Sequence, residues 1–332
     1  MKIVVHAPGA AIRGSERQVL MLIHGLVRRG HQVVVSCRGG GPVFAASTRA
    51  GARATAIRPR GTLDLVSTLL FAGWLRRERP DVVLETSWKR AYSTLFAARL
   101  SRVPRTVLRL GLSQSNVRSW GPRRVLGGLA DAVFVNSSGL ADQLRARAPW
   151  LEPHRLHVIV NGIEATPAEP APLRSELALG DDVRLIAAAG GLEPRKGFDV
   201  LLDALSRLRD PRAHLVLAGT GPDEAALRAQ VARLGLGGRV HFLGFRSDVP
   251  AVLSASDLYV LSSRREGMAV AMLEAMGAGI PVIASDVHGT RDALAARDGR
   301  GAAGWIVPVG DAASLADAID EVVSGVRERD ER

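Results

Sequence analysis

The sequence of 332 residues has a single cysteine, Cys37, which excludes a network of disulfide bonds and favours a reducing environment. Cysteine and histidine pairs at metal-binding spacings are also missing, so a structural zinc site is not expected. Apolar runs such as Leu215-Val216-Leu217 are far shorter than the ~20 residues that span a bilayer. Because the chain opens on a predicted strand, Ile3-Val4-Val5, with no secretion signal, we expect it in the cytoplasm.

Aromatic residues are scarce at 4%, and no nucleic-acid recognition motif is present, so nucleic-acid binding is disfavoured. The charge is nevertheless uneven: residues 1–160 hold 25 basic and 8 acidic side chains, and the rest of the chain holds 19 and 25. This asymmetry indicates an anionic partner for the first half, either a membrane surface or a phosphorylated acceptor. The alternative is an arginine-rich surface that reflects genome composition alone.

A peripheral contact with the inner face of the plasma membrane is the partner that we weigh most closely. Tryptophan and arginine side by side suit an interface that is apolar on one side and charged on the other. The candidate basic contacts are Arg76, Arg77, Arg79, Arg123 and Arg124. The candidate apolar neighbours are Trp74, Leu75, Trp120, Val125 and Leu126.

Short β-type runs alternate with amphipathic helical stretches along the whole chain, which is typical of parallel sheets covered by helices. A length of 332 residues and a hydrophobic content of 47% are enough for two α/β domains with separate cores. A Pro/Ala-rich run at 165–172 predicts the hinge between them. We therefore predict one domain at 1–164 and a second at 165–332.

The most informative stretch of the second half is a predicted apolar helix over 268–276 that is buried on most sides. Glu274 is its single charged residue, and Glu266 stands eight positions earlier. A carboxylate in such a helix is either ion-paired in the core or functional. Because the first N–H groups of a helix lack partners within it, they predict a phosphate seat here. The N–H groups in question belong to Gly267, Met268 and Ala269.

A second cluster of polar residues, Arg195-Lys196, lies between a predicted strand and a predicted helix, with Gly190, Gly191 and Gly197 around it. Adjacent cations among glycines are typical of an anion clamp, since the side chains donate to phosphate oxygens. The alternative is a solvated charge pair.

The Glu266-x7-Glu274 pair, followed by Ala-Met-Gly-Ala-Gly-Ile-Pro, resembles the signature of the retaining glycosyltransferases of family 4. The resemblance runs from Gly14 to about Asp311, and Arg195-Lys196-Gly197 is similar to the version in lipopolysaccharide-core glucosyltransferases. It implies the GT-B architecture, with two Rossmann-like domains facing each other across a cleft. The first would bind the acceptor and the second a nucleotide sugar, and the last helix is a candidate for crossing back to the first domain.

The resemblance implies the transfer of a hexosyl-type sugar from a nucleotide-diphosphate sugar to a cell-envelope, polysaccharide or lipid-linked acceptor. No Asp-x-Asp occurs, so we expect no metal or other cofactor: Arg195, Lys196 and the helix start would neutralise the diphosphate. Glu266 would hold sugar hydroxyls at the reacting centre, and Glu274 the ribose hydroxyls. The donor-binding residues implied besides these are Gly14, Gly191, Phe245, Arg246, Gly267, Met268 and Ala269.

The acceptor side departs from the family pattern. Relatives carry a histidine at the end of the strand predicted at 105–110, whereas here the nearest polar group is Arg109, a permanent cation that cannot act as a general base. Trp88 and Lys89 follow the end of another strand and are further acceptor candidates. Two other functions stay open: a nucleotide-sugar epimerase of the same fold and a non-catalytic sugar-nucleotide binding protein.

Overall fold

A computed structural model of the chain describes residues 1–61, 64–112, 120–164, 168–294 and 304–330, without the side chains of 120 and 326–330. The chain divides into two compact units, Met1–Asn161 and Gly162–Arg332. Each unit holds a parallel sheet with helices packed on it. The predicted α/β class is confirmed.

In the first unit, the described residues form a seven-stranded parallel sheet in the order β3-β2-β1-β4-β5-β6-β7. Its strands are β1 Lys2–Ala7, β2 Gln32–Cys37, β3 Arg53–Thr55, β4 Val82–Glu85, β5 Arg105–Leu110, β6 Ala132–Val135 and β7 Leu156–Val158. Its helices are α1 Gly14–Arg28, α2 Pro42–Arg49, α3 Leu65–Glu78, α4 Ala91–Leu100, α5 Trp120–Arg124 with a π-helical continuation Val125–Leu129, and α6 Ser138–Arg147.

The central strands β1 and β2 explain why this sheet is parallel and buried. Val4, Val5 and Val35 are almost completely inaccessible, because apolar side chains on both faces are covered by helices. Strand order reverses between β1 and β4, which pair in parallel. In open α/β sheets such a reversal opens a crevice at the carboxyl ends of the strands, where ligands bind.

The second unit repeats the plan: its described residues form a six-stranded parallel sheet in the order β10-β9-β8-β11-β12-β13. Its strands are β8 Arg184–Ala189, β9 Ala213–Ala218, β10 Val240–Gly244, β11 Leu258–Leu261, β12 Val282–Ser285 and β13 Trp305–Val307. Its helices are α7 Leu173–Glu176, α8 Phe198–Leu205, α9 Glu224–Arg233, α10 Val249–Ser254, α11 Val270–Gly277, α12 Thr290–Leu294 and α13 Ala312–Asp330. Here the strand order reverses between β8 and β11.

The last helix, α13, belongs to the core of the second unit. Leu315, Ile319 and Val322 are buried in the same cluster as Leu201 of α8 and Leu215 of β9. This packing fixes α13 on one face of the sheet. The predicted crossing concerns its last residues, whose side chains lie outside the described part of the chain.

Four of the five apolar residues predicted to face a membrane are buried instead. Trp74, Leu75, Val125 and Leu126 are 0–9% exposed and belong to the core of the first unit, so this part of the prediction is wrong. The side chain of Trp120 lies outside the described part of the chain. Sequence adjacency to arginine misled here, because α3 buries Trp74 and Leu75 while the arginines that follow them stay exposed. Among the described residues, no helix is long and apolar enough to cross a membrane.

Candidate active site

Two loops meet at the strand-order reversal of the second unit. The loop after β8 runs through Gly190 to a 3-10 turn at Pro194–Lys196, and the loop after β11 carries Glu266. Because β8 and β11 are paired neighbours in parallel register, their carboxyl ends bring these loops together. The two charged motifs that the sequence separates by some seventy positions therefore form one cluster.

Glu266 is the centre of this cluster and is only 8% exposed. Its Oε1 accepts a hydrogen bond from Arg195 Nη1 at 2.9 Å and another from Lys196 Nζ. Arg195 also donates from Nη2 to Glu193 Oε1 at 2.7 Å. Two cations and two carboxylates thus balance in a partly buried site, where charge-assisted hydrogen bonds are stronger than in water.

Backbone contacts hold the Arg195-Lys196 turn against the second loop. The Arg264 N–H donates to Arg195 O at 2.8 Å, and the Ser262 hydroxyl donates to Lys196 O at 3.1 Å. Gly197 has φ +64°, and a Cβ there would stand 2.2 Å from Ser262 O. Glycine is required on both grounds, since a side chain would force the two loops apart.

Arg264 and Asp199, which the sequence did not single out, tie the same loops together. Arg264 Nη1 donates to Asp199 Oδ1 at 2.6 Å and to Pro194 O at 2.9 Å. Hydrogen bonds from the Arg264 guanidinium hold the pKa of the Asp199 carboxyl below its usual value. The pair therefore stabilises the frame that carries Arg195 and Lys196.

The glycine beside Lys196 is Gly190. It has φ +152°, and the place where its Cβ would stand is occupied by the aliphatic end of Lys196. Gly219 in turn lies against the Gly190 carbonyl and leaves no room for a Cβ. Gly191, one of the predicted donor-binding residues, follows Gly190 in the same loop after β8.

The helix of the Glu-x7-Glu motif differs from the prediction in two respects. Its first helical residue is Val270, two positions later than expected, because Ala269 is an extended N-cap. Gly289 packs against the Gly267 carbonyl, where a Cβ would come within 2.1 Å, and this contact lies beside the extended segment before the helix. The residues predicted to form the phosphate seat, Gly267, Met268 and Ala269, therefore precede the first helical turn, and their role in binding phosphate stays a prediction.

The second difference is burial. Only Met272 and Ala275 of α11 are fully buried, and Glu274 is half-buried on the helix surface. The other residues of 270–276 are partly buried and none of them is exposed, so the helix is covered on most sides, but less tightly than its apolar pattern predicts. Its apolar composition does not reveal this, since alanine and methionine are compatible with either environment.

Tyr259 in β11, another residue that the sequence did not reveal, has a fully buried phenol. Burial raises its pKa, and the negative charges of Glu266 and Glu274 raise it further. Within the described residues, the hydroxyls of Tyr259 and Ser263 are buried without a hydrogen-bond partner.

Phe245 and Arg246, predicted to bind the nucleotide sugar, follow β10. The Phe245 ring is 70% exposed. Arg246 donates from Nη2 to Asp248 Oδ2 at 2.7 Å and from Nη1 to Glu176 Oε2 at 3.2 Å. These bonds fix the arginine and leave the neighbouring ring accessible for stacking.

Three of the predicted residues of the first unit lie near the carboxyl ends of its strands or at a helix start. Gly14 is the first residue of α1, and the preceding Arg13 N–H donates to Glu16 Oε2 at 3.3 Å. Trp88 and Lys89 form a 3-10 turn after β4, with Trp88 packed on the core and Lys89 exposed. Lys89 is thus the more accessible of these two acceptor candidates.

Arg109 at the end of β5 is 6% exposed, and its Nη2 donates to Asn161 Oδ1 at 3.2 Å. Burial lowers the pKa of its guanidinium, and the negative charge of Glu16 opposes this shift. Among the described residues, no carboxylate forms a salt bridge with Arg109. At the neighbouring strand ends, His6 Nδ1 lies 2.7 Å from Glu85 Oε2, and both side chains are fully buried.

Within the described residues, no three histidine, cysteine, aspartate or glutamate side chains are grouped so that they could hold a metal ion. The expected independence of metal stays a prediction.

Two family models match the chain in tandem: "Glycosyltransferase Family 4" over residues 12–167 and "Glycosyl transferases group 1" over residues 171–332. The lipopolysaccharide core biosynthesis glycosyltransferase LpsE of Rhizobium meliloti is 27% identical, over 94% of this chain and 86% of its own length. The D-inositol 3-phosphate glycosyltransferase of Mycobacteroides abscessus is 31% identical over 82% of this chain, and the match spans 61% of that relative.

Among solved structures, Anabaena Alr3699/HepE in complex with UDP-glucose superposes with a TM-score of 0.84 at 22% identity, over 98% of this chain and 91% of that one. The predicted GT-B fold is thereby confirmed. With both family models placed on consecutive halves and the signature residues gathered at one strand-order reversal, the chain belongs to the family 4 glycosyltransferases.

Proposed function

We propose that this glycosyltransferase moves a hexosyl-type sugar from a nucleotide-diphosphate sugar to a cell-envelope, polysaccharide or lipid-linked acceptor, with retention of configuration and without a metal. The convergence of Arg195 and Lys196 on Glu266 at the β8/β11 reversal carries the proposal. A diphosphate and a sugar hydroxyl need adjacent donors and an acceptor, and this cluster provides both.

The reaction breaks the bond between the sugar carbon C1 and a phosphate oxygen and forms a bond from C1 to an acceptor oxygen. Negative charge builds up on the departing diphosphate, so Arg195 and Lys196 would turn part of their hydrogen bonding from Glu266 to the phosphate oxygens. Glu266, thus released, would bind sugar hydroxyls beside the oxocarbenium-like centre. The acceptor's proton would pass to the departing phosphate oxygen on the same face, and this route needs no histidine near Arg109.

The rest of the donor would lie along α11 and β10. Glu274 would accept hydrogen bonds from the ribose hydroxyls, and the exposed Phe245 would offer a surface for the base. The complex of HepE with UDP-glucose supports a nucleotide-sugar donor for this fold. The match to LpsE, a lipopolysaccharide-core enzyme, supports a cell-envelope acceptor.

The proposal is tested first by thermal unfolding with a panel of nucleotide sugars, because a ligand that binds only the folded state raises the unfolding temperature. The stabilising donor is then incubated with membrane-derived glycan acceptors, and the anomeric configuration of the product is read by NMR. Transfer with an unchanged anomer supports the proposal. Release of free epimerised sugar without an acceptor would establish the epimerase instead. Binding with no turnover on any acceptor would leave a sugar-nucleotide binding protein.

Metal independence is tested in the same assay by adding EDTA. Activity should persist, since positive charge comes from Arg195 and Lys196. Abolition by the chelator and rescue by a divalent cation would contradict this part of the proposal.

A further inference from the structure

The first two turns of α3 are inverted with respect to an ordinary surface helix. Ser67 and Thr68 are buried at 8% and 3% exposure, whereas four large apolar side chains face outward. These four, the α3 patch, are exposed at 68%, 70%, 56% and 68%: Leu65, Val66, Leu69 and Leu70. Their spacing at i, i+1, i+4 and i+5 places them on one stripe of the helix.

The buried hydroxyls of α3 are fully satisfied within the first unit. Asp64 Oδ1 accepts from the Ser67 N–H at 3.0 Å, and Thr68 Oγ1 donates to Asp64 O at 2.7 Å. Ser67 Oγ in turn accepts from the Arg60 N–H at 2.9 Å. The orientation of the helix is therefore specified by its polar residues, and the outward position of the leucines is built into the fold.

Two arginines lie at the N-terminal end of the α3 patch. Arg60 is bonded through its backbone to the first turn of α3, and Arg90 Nη1 lies 3.7 Å from where a Gly61 Cβ would stand. Burial lowers the pKa of the Arg58 guanidinium, and the positive charges of Arg90, Arg38 and Arg60 lower it further. Arg60 and Arg90 together outweigh the single charge of the Asp64 carboxylate, so this arginine rim is net positive.

We propose that the α3 patch and its arginine rim dock the first unit onto an anionic membrane surface. Leucine and valine would enter the boundary between headgroups and acyl chains, and the guanidinium groups would bind lipid phosphates. The +17 balance of residues 1–160 provides the same sign of charge at longer range. A contiguous apolar stripe on a monomer marks an interaction surface, and the cationic rim selects an anionic partner.

The test is co-sedimentation of the full chain with vesicles of phosphatidylcholine alone or mixed with phosphatidylglycerol. It needs neither donor nor acceptor, so its failure is distinguishable from failure of the proposed reaction. We expect binding to the anionic vesicles, weakened in high salt and weakened about tenfold or more by the double substitution Leu69→Ser with Leu70→Ser. Arg60→Glu should weaken it too. Val309→Ser, at an exposed apolar residue of the second unit, serves as the control and should bind like the wild type.

Equal binding to both vesicle types, no binding, or undiminished binding by the double variant with folding verified would overturn the proposal. Should the double variant fail to fold, the Arg60→Glu and salt results decide in its place. Analytical ultracentrifugation covers the main rival occupant, a second copy of this chain. A dimer that dissociates in the double variant, without any vesicle binding by the wild type, would assign the patch to self-association instead.

Discussion

The side chain of Lys196 packs against Gly190, so that a Cβ on the glycine would stand 2.9 Å from the lysine Cε and 3.1 Å from its Nζ. The position of the cation that contacts Glu266 therefore depends on the absence of a side chain at Gly190. The glycine's φ of +152° adds a conformational reason for its presence.

Gly190→Ala should therefore displace the lysine and lower turnover by ~10²-fold, the loss that an ångström-scale misplacement causes. Gly235→Ala is a matched control: Gly235 also has positive φ, +68°, but nothing lies within 4 Å of its Cβ position. It should cost about 1–2 kcal/mol of unfolding free energy and leave turnover unchanged. Equal activity of the two variants in steady-state assays would show that the contact does not position Lys196.

Lys196→Ala should lower turnover by ~10²-fold or more, because a preorganised charge facing the leaving diphosphate is lost. In this variant Arg195 Nη1 can still donate to Glu266 Oε1, 2.9 Å away, so the cluster should keep its structure. The lower turnover would then reflect the missing positive charge. Arg233→Ala removes an exposed cation at the end of α9 and should behave like the wild type. Wild-type turnover in the lysine variant would end the assignment of Lys196 to the diphosphate.

The substitution Glu274→Gln distinguishes between two roles of Glu274, a contact with the ribose and a structural ion pair. The amide keeps the shape but loses the charge, so donor affinity measured by calorimetry should fall by ~1.5–3 kcal/mol, typical of hydrogen bonds to charged groups. The thermal midpoint of the free protein should change little. The opposite pattern, a lower midpoint with unaltered affinity, would place Glu274 in a structural ion pair.

The fold was predictable because its signals are local. Short β runs such as that of β1 alternate along the chain with amphipathic helical stretches such as that of α1, and this order predicts parallel sheets. In such sheets the loops at the carboxyl ends of the strands carry the ligand-binding residues. Glu266, Arg195 and Lys196 were found in this way. The class of protein followed from the resemblance of Glu266-x7-Glu274 and its flanking residues to a family signature.

What the sequence did not show depends on contacts between distant segments. The close approach of Lys196 to Gly190 is one such contact, and α11 begins only at Val270 because Ala269 is an extended N-cap. Tyr259 carries no motif and is placed only by the sheet. The α3 patch was invisible because leucines in a helix are read as core, and the inversion depends on where Ser67 finds its hydrogen bonds.

The Asp199–Arg264 pair gives the frame of the site a defined dependence on pH. Hydrogen bonds from Arg264 lower the pKa of Asp199 in the folded protein, so the unfolded chain binds the proton more readily. The stabilisation is therefore present above the ordinary aspartate pKa of about 3.9 and is lost as the pH falls through the lower folded value. The difference in thermal midpoint between the wild type and Asp199→Asn should be largest above pH 5 and shrink toward pH 3. Arg264→Gln should show the same convergence, since it removes the other partner. A difference that stays constant from pH 7 to pH 3 would mean that the Asp199 carboxylate does not contribute through this pair.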